Sequence, residues 1–75
     1  MSYAEESIYL ATVKLKWAEE GFRKSCQEIN AKLPTATREE AAQYGKILIL
    51  EKTLVDDAED YYKFIINKYR DEVRV

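Results

Sequence analysis

From end to end the chain offers only one place to reverse direction. Its single proline, Pro34, stands in Leu33-Pro34-Thr35-Ala36-Thr37, and its two glycines, Gly21 and Gly45, are isolated in stretches that carry no other turn signal. A sheet needs several turns, and turns draw on Gly and Pro for backbone angles that other residues resist. The scarcity therefore points to helix. Proline also disfavours helical geometry at the residue before it, so a first helix should close at Leu33. Lys32 there suits the negative end of the helix dipole.

The expected helix starts agree. Ser2-Tyr3-Ala4-Glu5 and Thr37-Arg38-Glu39-Glu40 both fit a capping box. In that motif a Ser or Thr hydroxyl accepts from the backbone N–H three residues on, and the Glu there reaches back to the cap's own N–H. One box opens the chain and the other follows the proline, as two successive helices require.

Apolar residues keep helical time throughout. Ala4, Ile8, Ala11, Leu15, Ala18, Phe22, Ser25 and Ile29 step by four and three in alternation, with Ser25 the polar member. Tyr44, Leu48, Glu51, Val55, Ala58, Tyr62, Ile65 and Tyr69 do the same, interrupted by Glu51. Each set is one stripe of a helix, and strand alternation fits neither. A linker this short allows only an antiparallel return. Facing positions should then sum to about 70, which sets Ile8 near Tyr62, Ala11 near Ala58, Leu15 near Val55 and Phe22 near Leu48. Gly45 falls beside Ser25 on this register, with Gly21 a turn away, and the small residues imply close backbone approach there. The fold class is all-α: an antiparallel two-helix hairpin forming one domain over residues 1–75. Its helices are expected at about 2–33 and 37–70, its turn at about 33–37 and a frayed tail at about 71–75.

Each helix carries more apolar width than one neighbour covers. A further stripe on the second helix runs Ile47, Leu50, Leu54, Asp57, Tyr61, Phe64, and on the first Tyr3, Leu10, Val13, Trp17. Neighbouring positions lie about 100° apart around a helix, so paired stripes make a broad face. Chains below about 70–80 residues seldom obtain more than ~3–5 kcal/mol from a single core, and neither disulfide nor metal is expected to help. A homo-oligomer is the remaining remedy. A homodimer closing an antiparallel four-helix bundle is the simplest form, because two-fold closure is the commonest symmetry.

Composition narrows the chemistry. Hydrophobic residues are 47% and charged residues 35%, which is not a disordered composition. The net charge of −2 is not that of a basic nucleic-acid binder. Histidine is absent and Cys26 is the lone cysteine, so Cys/His zinc sites, a histidine general base and an internal disulfide are excluded. Arg23 and Lys24 could activate the Cys26 thiol, but no base or oxyanion site accompanies it. The opening residues lack a basic start and apolar run, so no signal peptide is expected. The longest aliphatic run covers residues 47–50, far short of a membrane span. A cytoplasmic protein is the expectation.

No catalytic, metal-binding or nucleotide-binding motif is present, so neither an enzyme nor a cofactor is expected. The leading reading is a small protein-interaction module, an adaptor, inhibitor or assembly factor. It would act on a protein partner through apolar helix faces, in the manner of phage-type accessory proteins that block host enzymes. The interface candidates are Leu10, Val13, Trp17, Leu50, Leu54, Tyr61 and Phe64, with Trp17 and the tyrosines as anchors. The alternative is nucleic-acid, small-anion or nucleotide binding on a bundle dimer, with Lys14, Arg23, Lys24 and Lys46 as a phosphate-binding stripe. Against it, the bases alternate with acids, as Glu20 with Lys24 and Glu28 with Lys32 at i,i+4 spacing suited to a solvated face. Glu51 reads as a carboxylate paired with a lysine or as a register-setting residue.

Overall fold

The computed structural model describes residues 2–71. It is all-helical: helix α1 spans Tyr3–Lys32, a short 3-10 turn covers Leu33–Thr35, and helix α2 spans Arg38–Tyr69, packed back along α1. The fraying expected for residues 71–75 falls, from residue 72 onward, outside the described residues. The molecule is a rod, 53 Å long and 15 Å in each cross direction.

Local chemistry sets the boundaries. The Ser2 hydroxyl accepts from the Glu5 N–H at 3.2 Å. At Thr37 both halves of the box are formed: the hydroxyl accepts from Glu40 N–H at 3.1 Å, and the Thr37 N–H donates to Glu40 Oε1 at 3.2 Å. Between the caps, the Ala36 N–H donates to the Leu33 carbonyl at 3.1 Å and the Thr35 hydroxyl to the Lys32 carbonyl at 3.3 Å, so proline-enforced termination leaves these terminal carbonyls with partners.

The inward rows are those set by the four-and-three spacing. Every member of both stripes is buried or half-buried. Ala4, Ala11, Ile65 and Tyr69 form the core cluster, with Ile8 and Tyr62 packed against it. Tyr3 closes the open end by meeting the Tyr69 ring edge-on at 6.0 Å between centroids. Yet the core is thin. The buried apolar residues are Ala4, Ala11, Ile29, Val55, Ile65 and Tyr69, and among the described residues no side chain larger than alanine is wholly enclosed. Alanine lets the helices approach but removes little area from water, because the gain scales with apolar area.

Two expectations about the inward rows are corrected. Gly45 does not mark a close approach: a Cβ built there, or at Gly21, meets nothing within 4 Å. Gly45 lies on the exposed side of the row. Glu51 is not paired with a lysine: it is half-buried, and its Oε2 is shut from solvent with no hydrogen-bond partner. A carboxylate on the central line of the seam is too short to escape sideways, so one oxygen stays inside.

Three outcomes follow from this packing. Gly45→Ala should stabilise the hairpin by about 0.5–1 kcal/mol, the helix-propensity difference, because no neighbour resists the methyl group; thermal melts followed by circular dichroism will read it as a higher midpoint. Glu51→Leu should likewise raise the midpoint, by removing an orphaned polar atom whose burial costs on the order of 1–3 kcal/mol. The third concerns acid. The Thr37 backbone N–H, and secondarily its hydroxyl, hold the Glu40 carboxyl below the ordinary value of 4.5. A lowered folded pKa means that the stabilisation is present above the unfolded value and is lost as pH falls through the folded one. Melting temperatures below about pH 4.5 should therefore fall more steeply in the native chain than in Glu40→Gln, which has no carboxyl to titrate at this cap.

Candidate functional site

Because α1 and α2 are antiparallel, the hairpin has two long flanks, and side-chain chemistry divides them. One is polar. Lys52 and Asp56 bond there at 2.8 Å and Lys63 approaches Glu59 at 3.9 Å, both pairs exposed. The Asp56 hydrogen bond, and then its charge, raise the Lys52 pKa above its usual value. Solvated pairs of this kind add little stability. The i,i+4 pairs read from the sequence, Glu20–Lys24 and Glu28–Lys32, are not among the ion pairs of the described residues.

The other flank is apolar. Leu10, Val13, Lys14, Trp17 and Tyr61 line an open groove of about 350 Å³. It adjoins a second of about 400 Å³ lined by Lys14, Ala18, Leu54, Asp57, Ala58 and Tyr61. Lys14 and Tyr61 belong to both, so the two are one depression crossing from helix to helix. Positions 10, 14 and 17 on α1, and 54, 57, 58 and 61 on α2, keep the three- and four-residue spacing that places side chains over one another on a helix. Trp17 is 71% exposed and Leu54 62% exposed in this setting. Large apolar side chains so placed carry an unfavourable hydration cost that contact with another apolar surface removes.

Of the interface candidates, the structure gathers Leu10, Val13, Trp17, Leu54 and Tyr61 around this depression. Leu50 and Phe64 are exposed as well, but they do not line it. Both stand on the same stripe of α2 as Leu54, Asp57 and Tyr61 but beyond the ends of the depression, Leu50 towards the turn and Phe64 towards the open end. Ile49, 68% exposed, lies off the apolar stripes altogether. Ala18, Asp57 and Ala58 complete the depression and were not among the candidates. Ala18 and Ala58 stand on the inward stripes, and alanine is short enough to serve a core and a groove floor at once.

The phosphate candidates are dispersed within the single chain. Lys14 lies in the apolar depression with its ammonium 5.3 Å from the Tyr61 ring centroid, in cation–π geometry. Arg23 lines a different groove with Lys16, Glu19 and Glu20, where two acids face two bases. Lys24 and Lys46 are exposed and line neither. Lys68 makes similar ring contacts near the open end, 5.2 Å from Tyr69 and 5.9 Å from Phe64. Cys26 is a half-buried free thiol. Among the described residues no group of three or more His, Cys, Asp or Glu side chains could hold a metal ion. No described helix is long and apolar enough to cross a membrane.

No protein-family model, curated protein or solved structure matches the chain.

Proposed function

We propose that the chain is a small protein-interaction module, an adaptor, inhibitor or assembly factor, which works through the apolar flank of its hairpin. Two copies associate through that flank as an antiparallel four-helix bundle. The observation that carries this reading is surface area. The chain exposes 6140 Å², whereas a compact monomer of its 8.8 kDa mass exposes roughly 4,800 Å². A rod exposes more than a sphere of equal mass, and here the exposed surface includes the large apolar side chains Leu10, Trp17, Leu54 and Tyr61 on one flank. The chain's radius of gyration, 16.8 Å, likewise exceeds the ~11 Å of a compact domain of this length.

The character of the exposed area supports the same reading. Aromatic and leucine side chains stand together on one flank while ion pairs occupy the other, and the centres of protein interfaces are enriched in Trp and Tyr and depleted of charge. Phosphate binding has weaker support, because Lys14 and Arg23 serve different grooves and Arg23 is offset by two glutamates.

Trp17 is the single tryptophan, so its emission reports on this flank alone. Raising the concentration from nanomolar to micromolar should move the emission to shorter wavelength while sedimentation reports a doubled mass. Trp17→Ala or Tyr61→Ala should shift the monomer–dimer midpoint about tenfold or more towards higher concentration, since truncating a central aromatic anchor commonly costs ~2 kcal/mol or more. A mass that stays monomeric up to about 100 µM would remove self-association from the proposal.

A further inference from the structure

Lys14 and Asp57 are the only charged residues lining the apolar depression. Neither takes part in an ion pair among the described residues, and the Lys14 ammonium rests over the Tyr61 ring instead. They stand nearly equally far along the chain from Thr35, one before it and one after. At ~1.5 Å per residue both sit about 32 Å from the turn. Leu10 and Tyr61 share a second level further out, and Trp17 and Leu54 a third nearer the turn.

We infer that this flank receives a second copy of the chain related by a two-fold axis parallel to the helices, so that Lys14 of each copy pairs with Asp57 of the other. The inference rests on the proposed self-association and adds its geometry. A two-fold in that direction lays α1 of one copy over α2 of the other and preserves height above the turn. Lys14 then faces Asp57, Trp17 faces Leu54 and Leu10 faces Tyr61, each twice. Every adjacent helix is antiparallel, which is also the favourable alignment of helix dipoles. A two-fold perpendicular to the helices lays α1 over α1 instead. It takes Lys14 away from the partner's Asp57 and so forgoes the exchange of charges between copies. Burying an unpaired charge is costly, whereas an exchanged pair fixes register and excludes the wrong arrangement.

Two single variants test this. Lys14→Asp and Asp57→Lys each set like charges opposite one another in a homodimer, and each should weaken self-association about tenfold or more. Mixed in equal amounts they are complementary: Asp at position 14 of one chain meets Lys at position 57 of the other, and the unchanged Asp57 and Lys14 meet in turn. Sedimentation of the mixture should therefore recover a dimer that neither variant forms alone. Native mass spectrometry should find it to be the mixed species. Both positions are exposed, and circular dichroism will verify that the helices persist. Lys16→Asp and Asp56→Lys, with the same charge changes on the polar flank, should leave the dimer unchanged alone and mixed. If the native chain dimerises but the single variants dimerise equally well, or their mixture shows no recovery, the exchanged pair is wrong while self-association stands. If the native chain is monomeric, both fall together.

Discussion

The contact between α1 and α2 runs along one row of each helix, and the α1 row places alanine at Ala4, Ala11 and Ala18. Alanine allows two helix backbones to come close, but each such contact encloses little apolar area. A layered domain compensates by burying the flanks of the seam under a third and fourth element. The described residues include no such element. Its leucines and aromatics beside the seam are left where a neighbouring helix would lie in a bundle. The thin core and the exposed flank are two aspects of one geometric fact: a pair of cylinders meets along a line.

The architecture was legible in the sequence because it rests on one-dimensional signals. Pro34 and the Thr37 box locate the turn without knowledge of anything distant. The alternating spacing identifies the inward rows because helical periodicity maps chain position onto direction. Direction is not clearance, however. The spacing places Gly45 close to the seam but cannot say that no atom lies within reach of a Cβ there. Nor could it tell whether Glu51, placed on the central line, would find a cation; the structure leaves one oxygen without a partner. The candidate site was legible to the same degree. Leu10, Trp17, Leu54 and Tyr61 follow from the second stripes, whereas the passage of Lys14 into their midst depends on the ring of Tyr61 arriving from the other helix at the same height.

The asymmetry of the two flanks has a physical logic of its own. Ion pairs between solvated side chains cost little and gain little, so a face built from them stays wet and resists adhesion. The opposite flank has the reverse character, and a long hydrocarbon stem at Lys14 lets a charge stand in apolar surroundings without interrupting them. A face of this composition discriminates by the placement of its few charges as much as by its shape.

The best-packed layer, Ala4, Ala11, Ile65 and Tyr69 with the Tyr3–Tyr69 edge contact, lies at the end of the rod furthest from the turn. Its members are joined by nearly the whole chain, so the loop closed by their contact is the longest available and the most expensive in entropy. A partly zipped hairpin, closed near Thr35 and open beyond, incurs most of the ordering cost of its helices before it reaches this layer. Such a state keeps the burial of Ile29 and Val55 nearer the turn but lacks this layer, so the far ends of the two helices contribute their share of the core only on full closure.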